Sequence, residues 1–211
     1  MDNLNNLRGK AISFEGGEGS GKGTLIKNLK EYLDNYDLDV LYTREPGGSS
    51  ISEQIREVIF HDNSNFMSNE TEALLFAAAR AQLMHEVIYP AIKEGKTIIL
   101  DRFVDSSYVY QGHCRELGIE NIKEINKFAT KNWLPDKTIV LDIDPEIGLN
   151  RIHQNSNREV NRLDLETLSF HNSVREGYNE LAKLEDRIEL VDANQTPEAI
   201  LQDVINILKT I

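Results

Sequence analysis

The chain holds 211 residues, 40% apolar and 27% charged, with a formal net charge of −12. A chain of that size buries roughly 70% of its unfolded surface and needs no covalent staple. Its lone cysteine, Cys114, excludes an intramolecular disulfide or a multi-cysteine zinc site, no apolar run reaches the ~18–20 residues of a membrane span, and no dense Lys/Arg cluster offers nucleic acid a basic stripe.

The polar opening, MDNLNNLRGK, has no apolar centre, so no signal peptide is expected and the expected location is cytoplasmic. Residues 11–14 (AISF) then form a short β-rich apolar run, followed by a helical period over 22–35. A second run, 40–43 (VLYT), precedes helices expected at 51–60 and 71–94, with Ser50 and Glu53 at capping-box spacing. The third run, 97–100 (TIIL), leads to a helix at 119–132, and the fourth, 138–141 (TIVL), to one at 146–155. Residues 153–162 (HQNSNREVNR) break the pattern and read as a mobile loop. A helix at 165–184, a fifth run at 188–191 (IELV) and a helix at 197–209 complete the chain. Asp144-Pro145 and Thr196-Pro197 each put a capping side chain before a proline at the first helical position. Apolar runs buried on both faces, alternating with helices, predict an α/β fold with a five-stranded parallel sheet flanked by helices.

The strongest local signal follows the first run: Gly16-Gly17-Glu18-Gly19-Ser20-Gly21-Lys22-Gly23-Thr24. Its G-x4-G-K spacing between strand and helix is that of a phosphate-binding loop. Glycines let backbone N–H groups converge on phosphate oxygens, the helix N-terminus adds its dipole, and Lys22 reaches the β- and γ-phosphates. A GTPase is not indicated, because 126–129 (NKFA) lacks the aspartate of a guanine-reading N-K-x-D segment. A small chain with one phosphate loop and scattered arginines suggests a kinase for a small anionic acceptor.

Three further segments accompany the loop: Arg44-Glu45-Pro46-Gly47-Gly48 after the second run, TEALLFAAAR at 71–80, and DRFVDSSYVYQG at 101–112. In that order they resemble the R-E-P-G-G, T-E-x-x-L-F-x-A-x-R and D-R-[YFH]-x-x-S-x-x-A-Y-Q-G segments of bacterial thymidylate kinases. The resemblance runs from about Ala11 to the C-terminus. It implies the three-layer P-loop kinase fold in one domain with a mobile lid at about 153–163. The implied activity is transfer of the ATP γ-phosphoryl group to dTMP, in dTTP biosynthesis. Two positions depart from the pattern: Gly23 replaces the usual Ser/Thr, and Val109 replaces an alanine. With no hydroxyl at Gly23, Mg2+ is expected on phosphates, water and Asp101.

The resemblance also implies roles. Arg102 holds the acceptor phosphate and neutralises the transferred group, as the planar guanidinium fork suits phosphate. Arg44, Glu45 and Arg56 line the acceptor phosphate, Glu45 touching sugar or metal-bound water. Phe76 stacks on the base while Arg80, four residues on and on the same helix face, bonds the base edge. Gln111 bonds the pyrimidine, Tyr110 packs on the sugar, and Ser106 and Ser107 contact base or phosphate. Arg158, with Arg162 next, is the candidate catalytic lid arginine, and Arg151 packs on adenine. A homodimer through helices including 71–94 is implied as well. The five histidines show no metal spacing. Another nucleoside-monophosphate kinase and an ATP-hydrolysing nucleotide sensor are the competing readings.

Overall fold

The computed structural model describes residues 4–61, 66–154, 163 and 165–211. Strands β1 (Ala11–Gly16), β2 (Val40–Arg44), β3 (Thr97–Asp101), β4 (Lys137–Asp142) and β5 (Ile188–Asp192) form one sheet in the order β2-β3-β1-β4-β5. Every pairing is parallel. Each strand runs one or two residues beyond the C-terminal end of its apolar run, so polar Glu15, Arg44 and Asp101 belong to the ladder. An apolar-run criterion stops where the strands begin to carry polar side chains into the site.

Side chains alternate across the sheet. Ile12 and Phe14 pack with Leu25 and Leu29 of α1 (Lys22–Leu33) and Val204 of α9 (Pro197–Leu208). Ala11, Ile98 and Leu100 face the other way, towards Leu83 at the end of α3 (Asn69–Leu83) and Tyr178 of α8 (Leu168–Leu184). The chain leaves β1 for β2 on one side and β3 for β4 on the other. That reversal opens a crevice beyond the carboxyl ends of β1 and β3, where open α/β sheets bind ligands.

Helices α2 (Ser50–Phe60), α6 (Ile119–Thr130) and α7 (Pro145–Gln154) lie close to their expected places. The expected helix at 71–94 is instead three pieces: α3, a π-helical turn (Met84–Ile88) and α4 (Tyr89–Lys93). Pro90 accounts for the break, since it has no N–H for the carbonyl of the preceding turn and its ring crowds that carbonyl. The capping-box expectation is corrected. Ser49 occupies the cap of α2, and Glu53 accepts from the Gly48 N–H at 2.7 Å. Thr196 caps α9 through the Ala199 N–H, and Asp144 accepts from the Glu146 N–H at the start of α7.

Besides a short 3-10 turn at Asn5–Leu7, one helical stretch was not expected: α5 (Val104–Ser107) continuing into a π-helical turn (Tyr108–Cys114). Most of its residues are buried, so no polar face marks a 3.6-residue period. The larger Val109 is accommodated by Gly177 of α8, where an added Cβ would lie 3.1 Å from Val109 Cγ1.

Candidate active site

Beyond β1 and β3 lies a cleft of about 630 Å³ lined by Glu18 to Thr24, Arg44, Glu45, Arg56, Phe76, Asp101, Arg102, Ser106, Ser107, Tyr110, Gln111 and Arg151. Pro46 of the R-E-P-G-G segment and Leu163 at the end of the expected lid also line it, as do Phe60 and Ile152, which were not among the expected residues. Of the remaining predicted residues, Gly16, Gly17 and Arg80 do not line it, Gly17 facing a neighbouring small cavity instead. Most of the expected lid, with Arg158 and Arg162, lies outside the described residues.

The loop between β1 and α1 takes its shape from glycine. Gly19 has φ +70°, and a Cβ there would come 2.0 Å from the Gly148 carbonyl oxygen on α7. Gly21 has φ +92° and begins α1 with no capping side chain, so the first amides of the helix remain for an anion. Lys22 is buried, and its Nζ donates to the Gly16 carbonyl at 2.9 Å and more weakly to Gly17 O and Ser20 Oγ, each at 3.4 Å. Burial foremost, with the Arg102 charge beside it, pulls the ammonium down to about 8. A buried cation among converging amides fits polyphosphate.

Arg102 occupies the switch point. Its backbone is left-handed, φ +69°, a conformation held by its N–H to the Phe14 carbonyl at 3.0 Å. The side chain donates to Gly16 O at 3.0 Å, Ser106 Oγ at 3.2 Å and Glu18 Oε1 at 2.7 Å, and stacks over the Tyr110 ring at 5.4 Å. The Tyr110 hydroxyl donates to the same Glu18 oxygen at 3.1 Å. Burial, more than anything, keeps this phenol protonated well above its usual range.

Beneath Arg102 sits Glu15, wholly buried. It accepts from the Phe103 N–H at 2.7 Å, the Ser106 hydroxyl at 2.5 Å and the Tyr178 hydroxyl at 2.9 Å. Burial raises its pKa, with Asp105 adding to the rise and Arg102 opposing it. Glu15 and Tyr178 were not among the expected residues. The available signal was an acid at the end of an apolar strand, continued into the phosphate loop.

Opposite the loop, Arg44 and Arg56 both donate to the Pro46 carbonyl, at 2.9 and 3.0 Å, and Arg44 also forks onto Glu53. These two cations flank the β2 end of the cleft. Arg80 is buried and directs its guanidinium to Glu45 Oε2 at 2.7 Å, Ser107 Oγ at 3.1 Å, the Phe103 carbonyl at 3.1 Å and Asn126 Oδ1. It therefore positions Glu45 and Ser107, which do line the cleft. Burial pushes Glu45 up to about 7 although Arg80 pulls it down, and its Oε1 has no hydrogen-bond partner among the described residues. Gln111 donates through Nε2 to Glu72 at 2.7 Å.

Among the described residues no group of three or more His, Cys, Asp or Glu is arranged to hold a metal. Asp101, at the end of β3, supplies one carboxylate to the cleft. One carboxylate suits Mg2+ that is bound largely by phosphates and water, which is how this ion is commonly held at nucleotide sites.

A family model described as thymidylate kinase matches residues 14–204. The chain is 54% identical to a thymidylate kinase of Anoxybacillus flavithermus over 92% of this chain and 93% of that one. It is 50% identical to one of Clostridium novyi, over 96% and 99% respectively. A crystal structure of thymidylate kinase from Ehrlichia chaffeensis superposes with a TM-score of 0.78 at 28% identity, covering 96% of this chain and 99% of that one.

Proposed function

The chain belongs to the thymidylate kinase family, and we propose that its cleft holds ATP on the phosphate loop and dTMP against Phe76, with Arg102 between them. The reaction is transfer of the ATP γ-phosphoryl group to the phosphate of dTMP, giving dTDP and ADP. The observation that carries the residue assignment is one cleft in which the glycine loop, four arginines and an aromatic–amide pair converge.

Phosphoryl transfer needs little covalent help, so positioning and charge neutralisation are the protein's work. Lys22 and the first amides of α1 hold the donor phosphates. Arg44 and Arg56 draw the acceptor phosphate to the end of β2. Arg102 exchanges its contact with Glu18 or Gly16 for the group in flight. Phe76 supplies a stacking face, Gln111 an amide for the pyrimidine edge, and Tyr110 a ring for the sugar. Ser106 and Ser107 supply hydroxyls beside them. Glu45 offers an oxygen to sugar or bound water. Arg151 packs on adenine, and Arg158 is the residue read as closing from the lid. Asp101 would hold Mg2+ through water, and the ion would offset phosphate charge when bound.

A cytoplasmic homodimer is part of this reading. Among the described residues no helix is long and apolar enough to cross a membrane. Leu74 of α3 and Phe128 of α6, helices that pack together, expose apolar side chains, and Phe128 is 90% accessible. Sedimentation of the purified chain tests the dimer.

The activity test is initial ADP release from Mg-ATP with dTMP, dUMP, UMP, CMP, AMP and GMP. Strong dependence on dTMP, less on dUMP and near background otherwise, is expected. Preference for another monophosphate overturns the base assignment, and equal ADP release without acceptor overturns the kinase reading.

A further inference from the structure

A glutamine side chain reads a base ambiguously. Its amide presents an acceptor at one end and a donor at the other, and a half-turn exchanges them. Gln111 lines the cleft and is almost wholly buried, so whichever end faces a ligand has been chosen by its protein neighbours. The neighbour is Glu72 of α3, itself buried and outside the cleft lining, which takes the Gln111 Nε2 donor at 2.7 Å. A carboxylate can only accept. Turning the amide over would set its oxygen against Glu72 in a place shielded from water, a costly repulsion. Arg115 flanks the pair, with its Nε 3.6 Å from the Glu72 carboxylate and its Nη2 reaching Glu166 at 2.6 Å.

We propose that Glu72 is a specificity-determining positioning residue: it locks Gln111 with the amide oxygen towards the base, so that the site demands a pyrimidine carrying a ring N–H donor. Thymine and uracil carry that donor at N3. Cytosine presents an unprotonated nitrogen there and meets a second lone pair. Discrimination of dTMP from dCMP therefore originates one residue behind the surface that touches the base. This rests on the assignment of Gln111 to the pyrimidine edge.

The test compares wild type with Glu72→Gln, measuring kcat/KM for dTMP, dUMP and dCMP, with KM for ATP and the thermal midpoint. A glutamine at 72 offers either an oxygen or an NH2, which frees Gln111 to turn. The dTMP/dCMP ratio is expected to fall by at least about tenfold, through a higher dTMP KM and a gain on dCMP. The dTMP/dUMP ratio and the ATP KM should stay in place. Arg115→Met, which removes the ion pair and leaves the acceptor, should keep the dTMP/dCMP ratio. An unchanged ratio in Glu72→Gln overturns the proposal, as does an equal loss on both acceptors, which marks a purely structural carboxylate. If Glu72→Gln does not fold, Glu72→Asp against Glu72→Asn makes the same acid-against-amide comparison. Wild type that turns over dTMP and dCMP equally overturns the base assignment itself, a result distinct from failure of the lock.

Discussion

Lys22 finds its partners in backbone carbonyls a few residues away, whereas Arg80, across the same cleft, is enclosed by Glu45, Ser107 and Asn126 from three separate parts of the chain. The donor side is built from main chain within one contiguous loop, and its specificity is for phosphate, which any set of converging amides can supply. The acceptor side is built from side chains brought together by the sheet. Its surface residues, Glu45, Ser107 and Gln111, are each held by a buried residue behind them. On the proposed assignment, recognition of a generic anion rests on local geometry and recognition of one base on long-range packing.

The sharpest break of this contrast is at Arg102, which the proposed assignment sets between donor and acceptor. Arg102→Leu should lower kcat by about 10^3 while the fold survives, because a donor aimed at developing charge is removed. Rapid-quench measurement of the chemical step checks it. Phe76→Ala separates the halves: a lost stacking face is worth ~1–3 kcal/mol, so KM for dTMP should rise roughly 5- to 150-fold. KM for ATP should be unmoved.

The donor side has its own signature in pH. Lys22 is held down to about 8 by burial and Arg102. A bound polyphosphate favours the charged form, so affinity is full below this value and falls as pH rises through it. Calorimetry with a non-hydrolysable ATP analogue should show Kd weakening by up to about tenfold per pH unit above 8, with proton uptake on binding. Binding of dTMP should show no such step.

The smallest expected effect is at Gly148. A Cβ there would lie 2.4 Å from the Glu18 carbonyl oxygen. Gly148→Ala gains ~1 kcal/mol of helix propensity, so any loss comes from the displaced phosphate loop. ATP affinity should weaken about fivefold, on the scale of a modest overpacking cost, with little change for dTMP. Equal loss for both substrates would show that the two halves move as one.

Much of this architecture was legible in the chain. The apolar runs fell on the strands, although the expectation of burial on both faces holds for the inner strands β1, β3 and β4 and not for the half-exposed edge strands β2 and β5. The phosphate loop was legible because its chemistry is local. What escaped shares one cause. Glu15 lies just past the apolar run that ends at Phe14, and its partners Phe103, Ser106 and Tyr178 come from the β3–α5 junction, α5 and α8. The α5 stretch lacks a polar face because it is packed on nearly every side. Arg80 shares a helix face with Phe76, but Glu45 and Asn126 draw its guanidinium behind the wall. Pro90 was present in the sequence, and its consequence, a π-helical turn joining two shorter helices, followed from known sterics.

By itself the sequence determined the layers, the phosphate loop and the order of the motifs, since hydrophobic period and glycine conformation act within a few residues of each other. Only the tertiary structure decided which side chains face the cleft and which stand behind it. A guanidinium or carboxylate on a given helix face can turn to either, and the choice belongs to whichever distant buried partner satisfies its hydrogen bonds where water cannot.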